Sequence, residues 1–353
     1  MKISVKALRK YIEEPILIKT EETVCDSISC IIDADGHKFP AQKCNEGIIA
    51  IVTLAQGEEK EFDVSCEENT AFSKISFENE SEYLKVLYDG KIFTGYNYAS
   101  EFKKPFLGPV YTMTGESFTR SDLHNKEHPH QRSVFFGIGE VNGVDLWNEP
   151  EDSGYIKKGA PEIYANGTAY ASFGSKNIWC DMDGKNLMDE ARKYTFYNQS
   201  EDCRYLDLEI TFTASYEDVT FGPTKEAGPL GVRVNEKINV KHGNGAIVNA
   251  YSAKGEEECW SKIAPWCLYA GKLDDKDCAI AVFDSQSNER FPTNWHIRDY
   301  GLFAPNNLYF RGGFTIKKGD SITYKFRICF FNNCGDTVSD RYIVYNLNEG
   351  KKY

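Results

Sequence analysis

In the stretch from Lys126 to Trp147, KEHPHQRSVFFGIGEVNGVDLW, His128, His130 and Arg132 occupy alternate positions across Pro129. Residues at i and i+2 of an extended backbone share a face, and proline disfavours helix in the residue before it. The two imidazoles are therefore expected side by side, with Arg132 beyond them. Such a pair can chelate a divalent metal, hydrogen-bond to the hydroxyls of a sugar, act as acid and base, or form a loop of satisfied polar groups. His124 and Glu127 are near in sequence, but no motif supplies a third ligand. No cofactor is expected, with a divalent metal on His128 and His130 as the alternative.

Three further segments carry chemistry-bearing side chains. In RFPTNWHIRDYGLFA, Arg290 to Ala304, strand alternation puts His296, Arg298 and Tyr300 on one face and Trp295, Ile297 and Asp299 on the other. A face carrying His, Arg and Tyr is costly to bury unless a ligand or an internal carboxylate meets it. In FGPTKEAGPLGVRV, two Gly-Pro turns flank Lys225 and Glu226, and Arg233 follows on a strand. In CWSKIAPWCLYAG, Trp260, Lys262 and Trp266 lie close together, where indoles either stack on a sugar or fill a core.

Read as one composite site, these segments offer His128, His130 or His296 as general acid or base and Glu226 as the complementary carboxylate. Arg132 and Arg298 would fix hydroxyl or carboxylate groups, with Trp260, Lys262, Trp266 and Tyr300 as further substrate contacts. Epimerisation, elimination and hydrolysis of a glycoside all fit. A retaining glycosidase needs two carboxylates about 5 Å apart, and no such pair is evident. A metal-dependent oxygenase or hydrolase using the histidine pair and a non-catalytic sugar-binding or scaffold protein are the competing readings. No nucleophile elbow, phosphate loop or H-E-x-x-H occurs, and GIGEVNG leads to an Asn-Gly turn rather than a helix.

The elements that must position these residues read as strands. RYLDLEITFT alternates cleanly, with Leu206, Leu208, Ile210 and Phe212 on one face and Asp207, Glu209, Thr211 and Thr213 on the other. Asp35-Gly36, Asp89-Gly90 and Asp183-Gly184 mark hairpin turns. Only residues 1–13 and 337–347 offer a helical reading. The expected architecture is all-β: a small N-terminal β unit over residues 1–72 and a large antiparallel β-sandwich over 73–353 carrying the site.

Composition narrows the partners. With 41 basic and 53 acidic residues the net charge is −12, and no basic run occurs, which argues against nucleic acid or an anionic membrane. No apolar run approaches the length of a transmembrane helix. The N-terminus lacks an apolar signal core, so a cytoplasmic location is expected. The eleven cysteines contain no C-x-x-C pair. They are read as reduced thiols, including the closest pairs Cys25–Cys30 and Cys329–Cys334.

In order along residues 25 to 332, the segments EHPHQRSVFFGIGEVNGVDLW, FGPTKEAGPLGVRV, WSKIAPWCLYAG and SNERFPTNWHIRDYGLFAPN, with the DADGHKFPAQ hairpin and the KKGDSITYKFRI strand, resemble the soluble bacterial PmoA-like family, known under a "methane oxygenase" label. That family's first motif reads H-P-H-H-R, so His128, His130 and Arg132 match and Gln131 replaces a histidine. The resemblance implies a large sandwich of the galactose-mutarotase-like kind and a sugar or glycoside as the small-molecule partner. Literal methane oxidation is not expected, because those oxygenase subunits span membranes and this chain lacks a span.

Overall fold

The computed structural model describes residues 1–20, 24–66, 72, 75–200, 202–332, 335 and 337–348. Two antiparallel sheets pack face to face to make the large sandwich. The first has eight strands, in spatial order Trp295–Arg298, Leu302–Pro305, Ala227–Arg233, Val134–Ile138, Phe106–Leu107, Lys91–Asn97, Tyr83–Tyr88 and Ile75–Glu80. The second has nine, and its centre is formed by Tyr170–Cys180, Asn186–Tyr197, Cys203–Thr213, Ser321–Phe331 and Lys276–Asp284.

Alternation builds the core between them. Leu206, Leu208, Ile210 and Phe212 of the nine-stranded sheet meet Val86, Tyr96, Val134, Phe136 and Val232 of the eight-stranded sheet. The same alternation turns the intervening residues outward. From the eight-stranded sheet, Phe106, Phe135, Leu302 and Ala304 form a separate apolar cluster on its outer face, joined by Phe102 and Trp147 from loops laid over it. That outer face positions the histidines.

The N-terminal six-stranded sheet, from Lys2 to Ser65, has its own core of residues such as Ile31, Ile48, Val52 and Phe62. It covers the outer face of the nine-stranded sheet together with the helix Val338–Asn348, whose Val344 enters that core. The helical reading of residues 1–13 is corrected. Lys2–Lys6 and Tyr11–Lys19 are strands, because Ile3 and Val5 are buried at period two, with exposed residues between them. Ten cysteines are free thiols, and Cys334 lies outside the described residues.

Candidate active site

The expected extended backbone at His128–His130 is not found. His128 has φ +51°, a left-handed conformation uncommon outside glycine, and the Gln131 N–H closes a turn onto the His128 carbonyl at 2.9 Å. The turn still gathers the rings. His128 stacks on Tyr300 with centroids 4.9 Å apart, and its ring meets His130 edge-on at 6.0 Å. His130 lies 6.1 Å from Trp147, and Trp147 stacks on His296 at 6.4 Å. Tyr300, His128, His130, Trp147 and His296 thus form one continuous row of rings on the outer face of the eight-stranded sheet.

Electrostatics in this row favour neutral imidazoles. Burial, reinforced by Lys104, His128 and Arg132, pushes His130 down to about 3. Burial and Arg298 push His296 down to about 4, opposed by a bond from the ring to the Lys225 backbone. Nδ1 of His296 is buried and has no hydrogen-bond partner. That nitrogen lies in a nearly closed site, since His296 is only 5% exposed. His130 is less free: its Nε2 lies 3.5 Å from the Gln131 amide nitrogen. His128, more open, is lowered by burial and by Arg233.

Gln131, where the resemblance expects histidine, is fully buried. Its Oε1 accepts from Arg233 Nη1 at 2.6 Å.

The two arginines expected to hold substrate are engaged internally, which corrects their assignment. Arg132 Nη1 donates to both carboxylate oxygens of Glu149, at 2.8 and 2.9 Å, and the guanidinium lies over the Phe102 ring. Arg298 donates to Glu256 at 2.8 Å. Glu149 also lies 3.6 Å from Lys104, whose buried ammonium bonds the Trp147 carbonyl and is pushed down to about 8 by desolvation.

Glu226 immediately precedes the strand Ala227–Arg233, which is separated from that of His296 by Leu302–Pro305; it is partly exposed and 3.6 Å from Lys225. Its charge reaches Tyr300, whose hydroxyl is raised mainly by burial. Lys262 is exposed next to the His296 strand, its carbonyl accepting from Trp295. Trp260 turns edge-on to Phe310 and packs on the main core instead of joining the ring row. Trp266 is a clear correction. Alternation along Trp266–Leu273 sends it to the far face of the nine-stranded sheet, among Phe283, Tyr342 and Tyr345.

Sequence reading missed Arg120, Lys104, Trp147 and Glu149, which arrive from flanking loops, and Glu256, which arrives from the short helix Gly255–Cys259. A metal finds little support at the histidine pair, because Lys104, Arg120, Arg132 and Arg233 surround it. Among the described residues, the one trio with ligand atoms within 4.8 Å of one another is Asp33, Asp35 and His37, in the N-terminal sheet.

Residues 83–339 match the profile of a family of unknown function, DUF6807. None of the curated proteins compared with the chain matches it. Among solved structures, similar ones include a protein in glycosyl hydrolase family 38 from Enterococcus faecalis, at 8% identity and TM-score 0.48, covering 98% of this chain and 46% of that one. A GH36 alpha-galactosidase from Geobacillus stearothermophilus shows 10% identity and TM-score 0.38, covering 73% and 40%. Galactose 1-epimerase from Lactobacillus acidophilus NCFM shows 8% identity and TM-score 0.36, covering 73% and 98%. The chain spans less than half the length of the first two.

Proposed function

We propose a function for this chain, which belongs to the DUF6807 family: it binds a sugar or glycoside on the outer face of the eight-stranded sheet and transforms it by acid–base chemistry. The observation that carries this reading is His296, buried, held neutral, and presenting an unpartnered Nδ1 beside Trp147. A base in this state needs no deprotonation at neutral pH. Glu226 is the complementary carboxylate, and Tyr300 with His128 forms the aromatic wall against which a sugar ring packs. The resemblance to the PmoA-like family belongs to the same proposal.

The test is a panel of native and oxidised sugars and glycosides assayed with wild type and His296→Gln. The expected result is turnover of at least one compound, a fall of at least about 100-fold in the variant, and a Tm close to wild type. Activity should persist below pH 6.5 for as long as the protein stays folded, because the His296 base is protonated only near pH 4. Undiminished turnover in the variant refutes the assignment. Elemental analysis of the active protein is expected to show no stoichiometric iron, zinc, copper or manganese.

A further inference from the structure

Beside the ring row lie two guanidiniums with too little negative charge to meet them. Arg233 is 1% exposed and Arg120 is 4% exposed. Nε of Arg233 and both Nε and Nη2 of Arg120 lack hydrogen-bond partners. Arg120 spends Nη1 on the backbone carbonyls of Glu127 at 2.8 Å and His128 at 3.3 Å, which holds the turn in place. Arg233 spends Nη1 on Gln131 and lays its guanidinium over the Tyr300 ring at 4.6 Å.

The carboxylate that approaches both is Glu127. Its Oε2 lies 3.5 Å from Arg233 Nη2 and 3.6 Å from Arg120 Nη2, and its Oε1 lies 3.6 Å from His128 Nδ1. These are loose contacts, longer than a charge-assisted hydrogen bond of about 2.7–2.9 Å. The Glu127 side chain is itself 57% exposed and sits on the rim. Glu236 acts on both guanidiniums and Asp122 on Arg120 from longer range. Two buried cations that repel each other are costly, and carboxylates that make no close bond to them neutralise only part of their charge. Burial and the Arg120 charge together bring Arg233 down to about 10.

We infer that Arg120 and Arg233 form an oxyanion subsite for a ligand bearing a carboxylate or a phosphate group, which displaces the Glu127 side chain to reach both guanidiniums. The inference rests on the sugar-site reading above and narrows its substrate class to acidic sugars. Planar guanidinium forks match either oxyanion, and His128 Nδ1 is placed to add a donor. In the free protein Glu127 acts as a loosely held stand-in for the ligand's own anion. It keeps the arginine pair tolerable until substrate arrives.

Calorimetric titration of wild type, Glu127→Gln and Arg233→Gln with D-glucuronate, glucose 6-phosphate and D-glucose at low ionic strength tests this. The expected result is that one of the two anionic sugars binds wild type at least about tenfold more tightly than glucose, and which one identifies the oxyanion. Arg233→Gln should abolish that preference. Glu127→Gln should tighten anion binding several-fold, because the internal competitor is gone, whereas a merely structural Glu127 would leave affinity unchanged or weaken it. The Glu127 variant keeps the test decisive if Arg233→Gln fails to fold. Equal affinity for glucose and both acids overturns the oxyanion inference while leaving the sugar site standing, since His296→Gln reads that site independently. Binding of none of the three by wild type and Glu127→Gln overturns the inference as well.

Discussion

Arg327 and Arg341 lie beneath the N-terminal sheet, on one side of the sandwich; Arg120 and Arg233 lie beneath the turn at residues 127–131, on the other. All four are more than nine-tenths buried, but their surroundings differ. Arg327 makes a bidentate pair with Asp207 at 2.6 and 2.8 Å, and Arg341 pairs with Glu14 at 2.7 Å. Glu14 is wholly buried and also accepts from the Tyr205 hydroxyl at 2.5 Å. Two cations there meet two close carboxylates. Around Arg120 and Arg233, the carboxylate within reach is solvated and loosely held. Buried charge that only holds two layers together is matched locally, because an unmatched ion costs several kcal/mol. The unmatched pair sits beside the unpartnered histidine nitrogens, where a ligand would complete it.

Cavities alone do not draw this distinction. One of about 400 Å³ opens between the N-terminal sheet and the nine-stranded sheet, lined by Tyr164, Tyr170, Lys193 and Tyr197 among others. Its Asp207 and Arg327 are already paired with each other through two close hydrogen bonds. This cavity and the loosely countered arginine pair therefore fall on opposite sides of the molecule.

The contrast can be broken most forcefully on its balanced side. Glu14→Ala strands Arg341, and it removes the acceptor of Tyr205 and a charge 3.8 Å from Arg327. The expected cost is about 3–5 kcal/mol in denaturant unfolding. A cost below that of Arg233→Gln would erase the difference between the two faces.

Acid supplies the next largest effect. His130 and His296 are held neutral, with folded-state values of about 3 and about 4 against an ordinary 6.5. Below pH 6.5 the unfolded chain takes up protons that the folded chain refuses, so stability present above 6.5 is lost as pH falls toward 4. The slope is up to ~1.4 kcal/mol per pH unit for each histidine. Thermal melts across this window should show His296→Gln losing part of the wild-type slope, and an unchanged slope would mean that His296 is not held neutral.

A smaller change is expected from Arg233→Gln. It removes one of two mutually repelling guanidiniums, so the loss of stability should stay within about 1 kcal/mol despite the residue's complete burial. The smallest effect concerns the face opposite the ring row. Trp266→Phe should leave sugar affinity unaltered in the titrations above, and a marked loss of affinity would return Trp266 to the binding surface.

Alternation made much of this legible beforehand. RYLDLEITFT and WHIRDYG have periods that assign each side chain to a face, and His296 and Arg298 do share the outer side. The failure at HPHQR came from a turn. His128 adopts a left-handed conformation inside a network anchored by Arg120 and Gln131, and proline spacing carries no sign of either. Arg233 was visible in GVRV as the polar residue between two buried valines, but its neighbour Arg120 is over a hundred positions away.

What the sequence by itself determined is the strand periodicity, the hairpin turns and therefore the inward or outward sense of each side chain, because these follow from local backbone geometry. It also brought His296, Arg298 and Tyr300 close together, being neighbours on one hairpin. Tertiary structure alone decided which outward faces would be covered. It sent Trp266 under the N-terminal sheet and helix, gave Arg132 and Arg298 internal carboxylates, and left Arg120 and Arg233 short of one. Charge balance in a buried site depends on contacts between distant segments, and the cost of burying an ion is set by the neighbours that packing brings to it.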